Sequence, residues 1–240
     1  MKTRQKIRKG SILVSFFLFP ATYYYFSPVL ILEAASKGII NGSFIIFLLL
    51  FTGSLLLGRS FCGWVCPAAG CQESISPVRK KRVEKGNFIK WLIWAPWVTA
   101  ILVLAERAGG YHRTDFFYQT THGFSIGNLY GLLVYLFVLI ILIVLPAFLI
   151  GRRAFCHHLC WMSPFMIIGR TIRNYFNWRS LRLVAEPTVC KQCHTCTENC
   201  PMSLPVEDMV SRQQMESPEC ILCGTCVDGC KEGAIRYGWG

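Results

Sequence analysis

Apolar residues along this chain come in long blocks instead of the short alternations of a soluble domain. Residues 11–32 hold no charge between Lys9 and Glu33, and residues 38–58 are apolar between Lys37 and Arg59. Residues 88–105 carry one cation, Lys90, near their start, where its side chain can snorkel to the interface. Residues 129–150 form the most apolar block. A bilayer core is crossed by about 20 apolar helical residues, so the pattern predicts four membrane spans at about 11–32, 38–58, 88–105 and 129–150. Pro20, Pro28, Pro96 and Pro146 lie in or near these blocks, which membrane helices tolerate when neighbours re-satisfy the backbone. The first block is too long for a cleaved signal peptide and is expected to be retained.

Past the fourth block the pattern changes twice. Residues 159–184 mix Phe165, Ile168, Ile172, Tyr175 and Phe176 with Arg170, Arg173 and Arg179, the mark of an interfacial or linker helix. Residues 185–240 are polar and rich in cysteine. The expected organisation is therefore an α-helical membrane domain over 1–158, that helix, and a small α+β domain over 185–240.

Charge sets the orientation. Lys2, Arg4, Lys6, Arg8 and Lys9 precede the first span. Arg59, Arg79, Lys80, Lys81, Arg82 and Lys85 occupy the central loop, and Arg152, Arg153, Arg170, Arg173, Arg179 and Arg182 follow the fourth span. The other two loops hold only Lys37, and then Arg107 and Arg113. Lys and Arg stay inside, so both termini and every cysteine are expected on the cytoplasmic side of a prokaryotic inner membrane. The net charge of +12 is spread over span ends and forms no continuous patch, so nucleic acid is not an expected partner; membrane lipid is.

There are 13 cysteines. Cys190, Cys193, Cys196 and Cys200 read C-x2-C-x2-C-x3-C followed by Pro201, and Cys220, Cys223, Cys226 and Cys230 repeat the spacing. Zinc takes four ligands in two pairs, whereas two unbroken runs of four are the spacing of two 4Fe–4S clusters whose fourth cysteines are exchanged. That assigns Cys190, Cys193, Cys196 and Cys230 to one cluster and Cys220, Cys223, Cys226 and Cys200 to the other. Cysteines in a reducing compartment are not expected to form disulfides. The tail resembles the bacterial two-cluster ferredoxin domain, from Cys223-Gly224 to Gly233-Ala234-Ile235, and departs from it at Lys231, where proline is usual.

A second cysteine pattern lies at the span ends. The second block ends Gly58-Arg59-Ser60-Phe61-Cys62-Gly63-Trp64-Val65-Cys66-Pro67, and the fourth ends Gly151-Arg152-Arg153-Ala154-Phe155-Cys156-His157-His158-Leu159-Cys160. The shared Phe-Cys-x3-Cys predicts an internal repeat of two helical hairpins. Cysteines four apart share a helix face, so Cys62, Cys66, Cys156 and Cys160 offer four ligands for a further cluster, a mononuclear metal or a thiol pair. Cys71 is a spare, either ligand or packing residue.

With these motifs, four spans and the two-cluster tail, the chain resembles the NapH/NosR-type membrane polyferredoxin family. The second motif departs from the family form, with Trp161 where proline usually stands and His157-His158 inside. The resemblance implies an electron-transfer subunit between the quinone pool and a partner oxidoreductase. Arg59, Arg152, Arg153, His157 and His158 lie at the depth of a quinol headgroup, where a histidine could take a proton, and His112 and His122 lie in an outer loop among aromatics. Two other readings stay open: a copper-centre assembly factor whose thiolates hold Cu(I), and a membrane anchor that wires cytoplasmic redox enzymes to another subunit.

Overall fold

The computed structural model describes residues 2–83, 86–127 and 129–240; Lys85, counted among the central-loop cations, lies outside them. The chain is mostly helical. Its first apolar block is not one continuous helix: α1 (Thr3–Phe17) leads into a short α2 (Phe19–Thr22), a 3-10 turn (Tyr23–Phe26) and α3 (Pro28–Ser36). The break has a local cause. Pro20 and Pro28 supply no N–H to the ladder, and Ser27 before Pro28 is pushed to extended backbone at ψ 124°, capping α3 through its hydroxyl.

The second block forms α4 (Gly42–Leu57), after β1 (Ile39–Asn41), with Asn41 accepting from the Phe44 N–H at its N-terminus. The motif helix α5 (Ser60–Trp64) and α6 (Pro67–Ile75) follow. The third block forms α7 (Ile89–Arg107), and β2 (Arg113–Asp115) pairs with β1 in parallel beyond it. The fourth block is helical throughout Leu129–Leu149, as α8 (Leu129–Phe137), a π-helical segment (Val138–Val144) and α9 (Leu145–Leu149). Helices Ile89–Arg107 and Leu129–Leu149 are long and apolar enough to cross a membrane, whereas Gly42–Leu57 is shorter. Only 17% and 22% of their apolar windows are buried, so they are not core helices: Leu92, Leu102, Leu133, Ile140 and Leu149 face outward, while Ile101 and Ile143 face the core.

The second motif helix α10 (Ala154–His158) and α11 (Ser163–Tyr175) close the helical part. Helix α11 packs lengthwise along α4: Phe165 meets Phe47, Trp94 and Trp97, and a Cβ at Gly169 would lie 1.9 Å from Ser54 Oγ. Helix α6 correspondingly packs on α1 and the fourth apolar helix. Each helix that follows a cysteine motif thus leans on an apolar helix of the other half, which interlocks the two repeats.

The tail is a small α+β unit. Antiparallel β3 (Leu181–Ala185) and β4 (Ile235–Trp239) bring its two ends together, Leu181 opposite Trp239 and Ala185 opposite Ile235. Short helices α12 (Thr195–Glu198), α13 (Val206–Ser211) and α14 (Thr225–Gly229) lie between.

Candidate iron–sulfur sites

The two ferredoxin runs share one backbone design. Gln192 and His194 flank Cys193 with φ of 50° and 58°, and Leu222 and Gly224 flank Cys223 with φ of 49° and 71°. These left-handed residues coil the loop so that thiols three apart can turn to one centre. Glycine is obligatory only in the second run, where a Cβ at Gly224 would lie 2.5 Å from the Tyr237 hydroxyl.

The eight tail cysteines separate into two sets by burial. Cys200, Cys220, Cys223 and Cys226 are buried, and Cys226 is close enough to the other three for their charges to raise its thiol pKa after burial itself. Cys193 is exposed, while Cys190, Cys196 and Cys230 are half-buried. One set therefore lies inside and one at the surface.

The C-x3-C motifs are the same structure twice. The Phe61 carbonyl accepts from Val65 N–H and Cys66 N–H at 2.9 Å, and the Phe155 carbonyl accepts from Leu159 N–H and Cys160 N–H at 2.9 Å. Both preceding glycines have positive φ, 56° at Gly58 and 144° at Gly151, where a Cβ would meet the Lys81 carbonyl at 2.5 Å. The fold brings the two motifs together. Cys62, Cys66, Cys156 and Cys160 are all buried, and the charges of Cys62, Cys156 and Cys160 all act on Cys66. Gln72 ties the halves, donating to Cys156 Sγ at 3.3 Å and accepting the Phe155 N–H at 3.2 Å. Cys71 is also buried but its thiol is raised to about 11 by burial alone; no charge from the quartet acts on it.

Burial pushes the Cys62 thiol up, Cys156 adds to the rise, and the guanidinium groups of Arg59 and Arg153 oppose it. Four buried thiols become thiolates together only against a cationic core. Among the described residues, no three His, Cys, Asp or Glu side chains stand close enough to grip a single ion. Four cysteine thiols are the donor set that holds a multi-iron core, and the guanidinium groups of Arg59 and Arg153 act directly on them. The residues present fit such a group.

The quartet and the buried tail set touch. A Cβ at Gly63 would lie 2.5 Å from the Ile221 carbonyl and 3.3 Å from Cys223 Cα. Trp64 Nε1 donates to the Leu222 carbonyl at 3.1 Å, Gln5 Nε2 to the Cys223 carbonyl at 3.0 Å, and Arg170 Nη1 to the Cys220 carbonyl at 3.0 Å. On the motif side, Arg153 Nη1 holds the Cys62 carbonyl at 3.0 Å and Arg8 Nη1 the Gly63 carbonyl at 3.1 Å.

Arg59 and Arg153 are buried and ion-paired, to Glu219 and Glu73, and do not reach a lipid or quinol surface. Arg152 donates to the carbonyls of Lys80 and Glu198. His157 Nδ1 lies 2.6 Å from Asn87 Oδ1, and burial drives its pKa down to about 3. His158 Nδ1 lies 3.1 Å from the Ala154 carbonyl. In the loop between α7 and α8 His112 covers Gly38, and His122 is exposed. The sequence reading missed Gln5, Gln72, Glu73 and Glu219; only Gln72-Glu73, polar residues in the small-residue helix α6, carried a local signal.

A 4Fe-4S binding domain model matches residues 42–85 and 131–169, the two segments that carry the C-x3-C motifs, and a 4Fe-4S dicluster domain model matches residues 189–235. An uncharacterized protein of Methanocaldococcus jannaschii is 28% identical over 194 residues, covering 78% of this chain and 74% of that protein. The putative electron transport protein YccM of Escherichia coli is 24% identical, covering 74% of this chain and 50% of its own length. The ferredoxin-type protein NapH of Haemophilus influenzae is 23% identical, covering 77% of this chain and 63% of its own. The chain thus spans less than two thirds of the last two. No solved structure matches it. On its cysteine motifs, domain matches and relatives together, the chain is similar to the NapH-type polyferredoxins.

Proposed function

We propose that the protein is a membrane-bound electron-transfer subunit passing electrons between the quinone pool and a partner oxidoreductase. Four spans hold it in the membrane as two repeated hairpins, with both termini on the cytoplasmic side. Three cysteine sets stand in series: Cys62, Cys66, Cys156 and Cys160 at the membrane face, then Cys200, Cys220, Cys223 and Cys226, then Cys190, Cys193, Cys196 and Cys230 at the surface. Clusters so ligated exchange single electrons without bond chemistry of their own. The protein's part is to hold thiolates, exclude water and keep neighbouring sites in contact.

The observation that carries this reading is the seat of Gly63 on the Ile221–Cys223 backbone, which leaves no room for a side chain between the motif and the buried tail site. The exposed Cys193 supports partner docking at the far end.

The test uses anaerobically purified protein in lipid nanodiscs. Added menaquinol is expected to bleach the cluster absorbance, with iron above the eight atoms that two 4Fe–4S clusters supply. Clusters that dithionite reduces and menaquinol does not would overturn the quinone link.

One observation favours the copper-handling reading: the buried Met166 thioether lies 3.9 Å from Cys62 Sγ, and soft sulfur ligands select Cu(I). Stoichiometric copper lost on changing Cys62 and Cys156 to Ser would establish it.

A further inference from the structure

Two buried ion-pair triads flank the cysteine quartet, and each has one carboxylate for two cations. On one side Glu73 accepts from Arg8 at 2.8 Å and from Arg153. On the other, Glu219 accepts from Arg59 at 2.8 Å and from Lys90 at 2.5 Å. The Arg59 and Lys90 side chains are 0% exposed and those of Arg8 and Arg153 2%.

The triads are related by the internal repeat. Arg59 and Arg153 stand three residues before the first cysteine of each motif, and Arg8 and Lys90 lie in the N-terminal halves of α1 and α7, the leading helices of the two halves. The carboxylates break the symmetry. Glu73 stands seven residues after Cys66, whereas seven residues after Cys160 is Ile167, and α11 has no acidic residue. The tail fills the vacant role with Glu219, the residue immediately before Cys220.

Each triad carries a formal charge of +1 (two cations, one carboxylate), and the pair carries +2. Buried charge left uncompensated is strongly unfavourable. Arg59 Nε, Arg59 Nη2 and Arg153 Nε are buried donors with no hydrogen-bond partner among the described residues. Arg59 feels Cys62 and Cys160, and Arg153 feels Cys156, so both guanidinium groups border the quartet. Four thiolates around a core of charge +2 carry a net −2, which is the missing counter-charge.

We infer that the Arg8–Glu73–Arg153 and Lys90–Glu219–Arg59 triads are a charge-matched cage that positions and stabilises a dianionic four-thiolate cluster at Cys62, Cys66, Cys156 and Cys160. The inference rests on the proposed reading that this quartet holds a cluster. One-electron reduction takes the centre from −2 to −3 while the triads keep their charge, with the electron supplied by dithionite in the titration. Removing a cation from the cage therefore favours the oxidised form, and removing a carboxylate charge favours the reduced one. Glu219 belongs to the tail, so the cage is complete only with the tail docked.

The experiment titrates the full-length protein in lipid nanodiscs with dithionite and mediators, following the membrane centre by electron paramagnetic resonance and counting iron and sulfide on the same samples. Lys90→Gln is expected to lower the midpoint potential of that centre and Glu219→Gln and Glu73→Gln to raise it, each changing the reduction equilibrium roughly tenfold or more. A general loosening of the site would move all three the same way. If one variant loses its cluster, the other two decide by whether Lys90→Gln lies below the wild type or a carboxylate variant above it. Wild-type iron of eight, unchanged by Cys62→Ser, would remove the cluster reading of the quartet itself. Wild-type iron of twelve, with potentials that do not move in opposite directions, would overturn the cage and leave the relay standing.

Discussion

Gly63 seats the first cysteine motif on the ferredoxin tail, and the contact is backbone on backbone. A methyl group there would overlap the Ile221 carbonyl at 2.5 Å. Gly63→Ala is therefore expected to push the 221–223 loop away from the motif while removing no cysteine. Cluster content should stay near wild type, and the rate of electron exchange between quartet and tail, followed by stopped-flow absorbance, should fall at least tenfold. Gly224→Ala differs, because its Cβ meets Tyr237 at 2.5 Å on a φ of +71°. Strain at such a site costs about 1–3 kcal/mol. The expected readout is a lower unfolding temperature with loss of the buried tail cluster first. Gln72→Leu removes the donor to Cys156 Sγ; a cluster whose ligand sulfur loses a hydrogen bond is harder to reduce, so the quartet's potential is expected to drop.

Between elements, α11 is the brace that holds the tail to the helices. Its Arg170 donates to Glu216 Oε2 at 2.8 Å and Arg173 approaches Oε1 at 3.4 Å, with Asn174 adding a third contact at 3.2 Å. Burial on its own would raise the Glu216 pKa, but Arg170, Asn174 and Arg173 outweigh it and hold the carboxyl below its ordinary value. A carboxylate lowered in the folded state contributes stability above its unfolded pKa of about 4.3, and that stability is lost as pH falls through the folded value. Tail docking is therefore expected to weaken only below about pH 4.3. Glu216→Gln should already show the low-pH behaviour at pH 7, with increased protease cutting of the 176–190 segment as the measure.

At the scale of the whole molecule the tail is a structural part of the helical unit. It supplies Glu219 to Arg59 and Lys90, receives Arg4 at Asp228, and is bonded from Gln5, Trp64 and Arg170. Deleting residues 185–240 takes the shared carboxylate from Arg59 and Lys90 together with the tail's bonds to Gln5, Trp64 and Arg170. The truncated protein is expected to insert in the membrane yet lose several degrees of thermal stability in detergent. Restoring a carboxylate by Ile167→Glu, at the repeat-equivalent of Glu73, should recover part of it.

What could be read along the chain was whatever depends on neighbours within a few residues. The apolar blocks at 88–105 and 129–150 hold the helices Ile89–Arg107 and Leu129–Leu149, whose length and hydropathy were legible in the sequence. The Phe-Cys-x3-Cys likeness already carried the repeat that the paired Phe61 and Phe155 carbonyls express. The ferredoxin spacing likewise fixes thiols within one loop. Tertiary structure decided the rest, because it depends on which distant segments meet. The first apolar block breaks at Ser27–Pro28 and packs in pieces. Arg59 and Arg153, which by sequence look like span-end anchors, are sealed inside with Glu219 and Glu73. Those partners lie 160 and 80 residues away, and no local pattern encodes a pairing set by how two repeats interlock and where the tail comes to rest.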